Sequence, residues 1–280
     1  MYYFLLSFAS LLFASQFLFN QKFQAEYGDT LYSALLFTGY TSLISFFAML
    51  AIGGFKAEIT LFSVLVALVY SFVSISYSYV SIKAFNTVNL SVYSVFAMLG
   101  GMLLPFLYGV WFQGEPLTTG KFISCLLIVI ALSMTVTKGS SGGGAVYYIL
   151  VFLLNGLCGV ISAFHQSNPK AVGSVSFMML NRLMAVIICL AVWAIFFRKP
   201  IGLNKRGLIY SVGFALFCGF GNLIALVSLK FLPASVQYPI ITGGVMAISL
   251  FISLIRREKV TPKNIISAAF AFAATIFVTM

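Results

Sequence analysis

Acidic residues are nearly absent from this 280-residue chain: Glu26, Asp29, Glu58, Glu115 and Glu258 are all of them. Each falls in or beside a polar break and none lies deep in an apolar run. A mechanism that exchanges protons for a cationic drug on a buried carboxylate therefore has no residue to use. His165 is the single histidine. With one histidine and no clustered acids, Ser/His/Asp triads, glycosidase carboxylate pairs and metal sites are all unavailable, so no catalytic residue, metal or cofactor is expected. Cys125, Cys158, Cys189 and Cys218 sit inside apolar segments without C-x-x-C spacing and read as buried filler. Charge of either sign is scarce, at 8% of residues against about 25% in globular domains.

What is present in excess is apolar surface. Hydrophobic residues make up 61% of the chain and the mean hydropathy is +1.08, more than a soluble core can hide. The expected class is an all-α polytopic membrane protein. The net charge of +11 comes from scattered Lys and Arg at segment ends; with no soluble domain to present them, no nucleic-acid partner is expected. The expected partners are membrane lipids and a small-molecule substrate, with the chain as a monomer or homodimer.

Ten segments have the length and apolarity of a spanning helix. They run over about 2–20, 31–52, 61–80, 90–110, 121–137, 145–164, 172–197, 207–229, 234–255 and 262–280. The first has no basic leader and no small-residue cleavage site, and reads as a retained helix. Only Lys138-Gly-Ser-Ser-Gly-Gly-Gly144 has the composition of a flexible linker. Five segments precede it and five follow.

The two halves are one unit written twice. Gly100-Gly101 precedes Glu115-Pro116-Leu117-Thr118, and Gly243-Gly244 precedes Glu258-Lys259-Val260-Thr261. Gly243 stands 143 positions after Gly100, and Glu258 stands 143 after Glu115. Upstream, Val80-Ser81-Ile82-Lys83 matches Val227-Ser228-Leu229-Lys230. The expected organisation is a first five-helix repeat over 1–138, a linker over 139–144 and a second five-helix repeat over 145–280. An odd number of helices per copy makes the second enter the membrane from the opposite face. Such inverted repeats are common in secondary transporters, whose substrate sites lie near mid-membrane between the halves.

Ten helices as five plus five, a Lys near the end of the third and eighth (Lys83; Lys230-Phe-Leu-Pro-Ala-Ser235) and Gly-Glu-x-Leu-Thr over Gly114 to Thr118 resemble the EamA-like branch of the drug/metabolite transporter superfamily. The resemblance extends over essentially the whole chain. It implies a carrier of amino acids or other small metabolites in a bacterial inner membrane, and says little about substrate. Two positions depart from the family pattern. Phe13 stands where a Trp is usual in the first helix, and the Arg usual in the second helix is missing.

That Arg has its counterpart in the other half. Arg182 stands 143 positions after Gly39, so the charge has moved from the second helix to the seventh. Lys and Arg move with it: the connections after odd-numbered helices hold eleven, those after even-numbered helices four. The positive-inside rule then makes the odd connections cytoplasmic and puts both termini outside, whereas the resemblance implies termini inside.

Arg182 is the sharpest candidate for substrate contact, because a charge inside a spanning helix is costly and faces a cavity; it suits a carboxylate or phosphate. The other reading ties it to backbone carbonyls or the interface. Gln16 and Asn20 share a helix face, and Asn155, Asn222 and Gln237 add amides at membrane depth, as substrate contacts or as interhelical glue. Tyr40 and Tyr79, with Tyr70, Tyr77, Tyr93 and Tyr238, are candidate cavity walls. His165 is a helix-end cap or the one group that titrates near neutrality. Gly100, Gly101, Pro105, Gly243, Gly244 and Pro239 are hinges or packing notches. The function expected is uniport or exchange of a small polar metabolite by alternating access. The alternatives are flipping of a lipid-linked phosphate and carriage of a quaternary ammonium or drug.

Overall fold

The structure is a computed structural model; it describes residues 2–87, 90–112, 114, 118–135, 144–197, 201–228, 234–258 and 260–277. Within these residues the chain forms ten α-helices and no strand. They are α1 (Tyr2–Tyr27), α2 (Leu31–Ile52), α3 (Leu61–Ala84), α4 (Leu90–Phe112), α5 (Thr119–Thr135), α6 (Gly144–Gln166), α7 (Ser174–Phe196), α8 (Lys205–Ser228), α9 (Ala234–Ile255) and α10 (Pro262–Phe277). Seven are long and apolar enough to cross a membrane over their described residues. The exterior is correspondingly apolar, with Phe4, Leu61, Ile195 and Phe251 each more than half exposed. The linker over 139–144 and the Glu115 loop lie largely outside the described residues, as does Lys230.

Helix ends are set by ordinary capping. Thr30 and Thr60 accept from the Ser33 and Ser63 backbone N–H groups at the starts of α2 and α3, and Asn204 Oδ1 accepts from Gly207 N–H at the start of α8. The repeated Glu-x-Leu/Val-Thr motif ends in caps as well. Thr118 Oγ1 accepts from Lys121 N–H at 3.3 Å, and Thr261 Oγ1 accepts from Asn264 N–H at 3.4 Å. Glu258 uses its charge on other helices: Oε2 accepts from the Leu90 N–H at 3.1 Å, where the N-terminus of α4 favours an anion, and from Ser253 Oγ at 3.0 Å. Arg256 pairs with its Oε1 at 3.0 Å.

The largest departure from the sequence reading is α1, which continues past Asn20 to Tyr27. Its polar last turns are held by neighbours. The Tyr27 hydroxyl accepts from Asn204 N–H at 2.8 Å, Glu26 accepts from Asn204 Nδ2 at 3.0 Å, and Gln24 bonds Asn86. Hydropathy alone ended this helix where apolar residues thinned.

The most extensive packing pairs are α1 with α8 and α9, α6 with α3 and α4, α2 with α7 and α8, α3 with α7, α4 with α9, and α5 with α10. Replacing each helix by the one five places along returns the same pairs. The side-chain bonds obey the same exchange. Ser124 Oγ on α5 donates to Ala274 O on α10 at 2.8 Å, and Ser267 Oγ on α10 donates to Ala131 O on α5 at 2.7 Å. Asn155 Nδ2 on α6 donates to Ala97 O on α4, and Ser10 Oγ on α1, which donates to Leu6 O at 2.9 Å, also lies 3.4 Å from Ile240 O on α9. Both members of each pair differ by 143 positions in their acceptors. These bonds run α5 and α10 antiparallel, beginning against end. In α2 and α7, Tyr32 meets Phe197 at one end and Gly53 approaches Val175 at the other, again antiparallel.

Two opposite ends of the bundle follow. One gathers the ends of α1, α3, α7 and α9 with the starts of α2, α4 and α8; there Lys83 pairs with Asp29 at 3.3 Å and Arg206 with Glu26 at 3.8 Å. Such exposed pairs contribute about 0.2–1 kcal/mol each. The other end joins α2 to α3 and α6 to α7, with Glu58 accepting from Gly173 N–H at 3.1 Å.

Candidate functional site

The seam between antiparallel α2 and α7 holds two cavities, one on each side of its midpoint. The first, of about 70 Å³, is lined by Ser45 and Met49 of α2, Tyr70 of α3, Met178, Asn181 and Arg182 of α7, and Cys218, Gly219 and Asn222 of α8. Four helices thus converge on one small polar space. Arg182 lies eight residues past Ser174, about 12 Å along α7, and is half-buried. No described carboxylate pairs with it.

Asn181, its neighbour, is 6% exposed, and its side-chain oxygen is buried without a partner. Its backbone oxygen accepts from Ser71 Oγ at 2.9 Å, which fixes α3 against α7 at this level. Asn222 Nδ2 donates back to Cys218 O at 2.7 Å, leaving its amide oxygen for other partners. The cavity therefore offers a guanidinium, a phenol, a hydroxyl and two amide oxygens. That set holds an anionic group at one point and a hydrogen-bond donor at another. A volume of about 70 Å³ falls below the roughly 300–1,000 Å³ of ligand pockets, so this conformation is closed around its polar groups.

Of the residues singled out from sequence, Arg182, Asn222 and Tyr70 line this cavity. Gln16 and Asn20 are buried on α1, at 7% and 4% exposure, each with an unpartnered side-chain oxygen; they do not line it. Asn155 is bound to Ala97 O at 2.6 Å, tying α6 to α4. Tyr79 stacks under Lys83, whose Nζ lies 5.7 Å from the ring centre. Tyr40 lines the second cavity of the seam. Gln237 and Pro239 belong to α9, but their side chains lie outside the described residues.

His165 is elsewhere. It is fully buried at the junction of α3, α6 and α7, stacked on Phe177 with ring centres 3.6 Å apart, and its Nε2 is 2.9 Å from Ser63 Oγ. Ser63 Oγ also accepts from Val172 N–H at 3.2 Å. The imidazole ties three helices together and lines neither seam cavity, and its Nδ1 is buried without a partner among the described residues.

The tyrosines at the centre form their own chain: Tyr77 and Tyr93 hydroxyls are 2.7 Å apart, and Ser81 Oγ is 2.8 Å from the latter. Sequence reasoning missed Asn181, Ser45 and Cys218. Asn181 carried a signal, a second polar residue beside Arg182 in an apolar helix; Ser45 and Cys218 carried none.

Gly100 and Gly101 face α6 at contact distance. A Cβ on Gly100 would collide with the Phe152 carbonyl, and one on Gly101 would lie 2.7 Å from Asn155 Nδ2. Gly156 faces back, where a Cβ would lie 2.6 Å from Gly100 O, and Gly159 sits on the Pro105 ring. A Cβ on Gly244 would strike the Ser10 side chain, and Gly243 beside it is buried in α9. These glycines allow close backbone approach.

No curated protein matches the chain. Among solved structures, one crystal structure with 15% sequence identity has a TM-score of 0.62, covering 97% of this chain and 96% of its own, a likeness of fold. The sequence profile of the EamA-like transporter family matches residues 145–280, which are α6 to α10. On this match residues 145–280, the second five helices, belong to the EamA-like transporter family of the drug/metabolite transporter superfamily.

Proposed function

We propose that this chain carries a small polar metabolite, an amino acid or a related organic compound, across a bacterial cytoplasmic membrane by alternating access, as uniport or exchange. The observation that carries this reading is Arg182: a guanidinium inside a membrane helix, without a carboxylate partner among the described residues, on a cavity shared by α2, α3, α7 and α8. An unpaired charge at that depth costs at least about 2.5 kcal/mol. A bound anion would offset that cost and give the charge its use.

The reading treats 1–138 and 145–280 as inverted repeats. The antiparallel α2/α7 and α5/α10 pairs and the reciprocal Ser124 and Ser267 bonds support that arrangement. The Arg182 cavity lies on the α2–α7 seam, where the halves meet, and relative movement of the halves would open it to either side. The end bearing Lys83, Arg206, Arg256 and Lys263 is assigned to the cytoplasm by its excess of basic residues, with both termini outside. No proton coupling is expected, since the described acids lie at helix ends and His165 is locked among helices.

The test is reconstitution in liposomes preloaded with unlabelled amino acids or organic anions, followed by entry of the labelled compound. Stimulation by the compound inside, unaffected by an imposed pH gradient, is the expected result. Uptake driven by protons with a stoichiometry that persists in His165→Ala would refute uniport and exchange. A single cysteine placed at Lys263, in a background with Cys125, Cys158, Cys189 and Cys218 replaced by serine, should resist an impermeant maleimide in intact cells; labelling there would reverse the orientation.

A further inference from the structure

The charge inventory of the Arg182 cavity narrows the chemistry of its occupant. Only groups that a ligand can reach count. Asn181 Oδ1 is sealed off and takes no part. The Arg182 guanidinium, Ser45 Oγ and Asn222 Oδ1 belong to lining residues, are not sealed in this way, and bond to no described residue. Asn222 Nδ2 is committed to Cys218 O at 2.7 Å, so this amide presents its oxygen and not its N–H groups.

None of the chain's five acids belongs to the cavity. Glu26, Asp29 and Glu258 lie at the opposite end of the bundle, bonded to Asn204, Lys83 and Arg256. Glu58 stands in the connection between α2 and α3 with its carboxylate on Gly173 N–H. Glu115 follows α4, which contributes nothing to the lining. The other titratable side chains of the lining, Tyr70 and Cys218, are a phenol and a thiol. The cavity therefore holds the single positive charge of Arg182 and no negative one.

A carboxylate gripped by the guanidinium through two parallel bonds neutralises the site. The group beside that carboxylate then separates two classes of ligand. An α-ammonium would meet only neutral oxygens and would leave one positive charge uncompensated at membrane depth, which weakens binding about fiftyfold. A hydroxyl needs one acceptor and has it in Asn222 Oδ1. The volume of about 70 Å³ leaves room for little beyond the carboxylate and its neighbouring carbons, against the apolar walls of Met49 and Met178.

We propose that the Arg182 cavity takes a short 2-hydroxy carboxylate, with the carboxylate on Arg182 and the hydroxyl donating to Asn222 Oδ1, and discriminates against the amino acid of the same shape. This rests on the carrier reading above and narrows it from amino acids and related compounds to monoanions.

Four ligands of one size test it. Lactate and alanine differ only in hydroxyl against ammonium, propionate has neither, and lactamide keeps the hydroxyl but loses the charge. Dissociation constants are read from the ligand dependence of Tm of the purified protein. Lactate should bind about fiftyfold more tightly than alanine and about fivefold more tightly than propionate, and lactamide should not bind. Asn222→Ala should remove the margin of lactate over propionate, and Arg182→Ala should remove binding of both. Alanine equal to lactate, with both lost in Arg182→Ala, overturns the selection by charge and leaves Arg182 as the anion site of a carrier. Lactate affinity unchanged in Asn222→Ala overturns the assignment of the hydroxyl. Lactamide equal to lactate, or lactate bound equally by the parent and Arg182→Ala, overturns this proposal and the role of Arg182 together. No response to lactate overturns the proposal.

Discussion

Gly39 and Arg182, 143 positions apart, stand on opposite sides of the midpoint of the α2–α7 seam. Where α7 carries Arg182, α3 and α8 close over the seam with Tyr70, Cys218 and Asn222, and the space is small and polar. Where α2 carries Gly39, the seam opens outward between Leu43 and Leu190, and the space is larger and apolar. On the proposed repeat, one copy of the position bears a charge and is enclosed, and its counterpart carries no side chain and lies in the cavity that opens outward.

That contrast can be attacked directly. Gly39→Arg would put a guanidinium in the lipid-facing cleft with no acid beside it, and should lower stability by about 3 kcal/mol, read as a fall in Tm of the purified protein. Arg182→Ala should act the opposite way, cutting exchange at least about a hundredfold, or about 2.7 kcal/mol, while Tm stays level or rises because an unpaired charge is gone. Arg182→Lys should recover only part of that activity if the substrate is gripped by two parallel bonds. Loss of folded protein in Arg182→Ala would instead make the residue structural.

A smaller effect separates the seam from the glycine contact of α4 with α6. Gly100→Ala drives a methyl into the Phe152 carbonyl and should cost about 2 kcal/mol. Gly39→Ala meets only Cys189 at ordinary contact distance and should change Tm within about 0.5 kcal/mol. Equal losses would mean that α2 and α7 pack as tightly as α4 and α6. Between these two, Thr118→Ala and Thr261→Ala should each cost about 1 kcal/mol and match one another, because each removes the same kind of cap from the start of a helix.

Much of this was readable beforehand. Ten helices, the constant offset of 143 and an Arg within the seventh apolar segment are properties of residue order and hydropathy, which sequence records directly. The structure adds a reason for the repeated Thr: it caps α5 and α10. What sequence could not supply was direction around each helix. Gln16, Asn20, Asn155 and Asn222 are all amides in apolar runs, yet Asn155 is spent on the Ala97 carbonyl and only Asn222 reaches the Arg182 cavity. The difference lies in which neighbour each helix face meets, and hydropathy carries no information on that. His165 shows the same limit: its place among Phe62, Phe177 and Ser63 depends on three helices distant in sequence. The extension of α1 to Tyr27 was missed because partners from the start of α8 hold it.

The most direct test of the central claim, that Arg182 is the anion-binding residue of a carrier, is ligand-dependent thermal stability of the purified protein. Amino acids, sugar phosphates, quaternary ammonium compounds and lipid phosphates would be compared on the parent and on Arg182→Ala. A compound that binds only the folded state raises Tm by mass action, by about 2.7 kcal/mol of stability at a hundred times its Kd. The account predicts that an anionic metabolite stabilises the parent and loses its effect in Arg182→Ala. Stabilisation by cations alone, or by the same anion equally in both proteins, would contradict it.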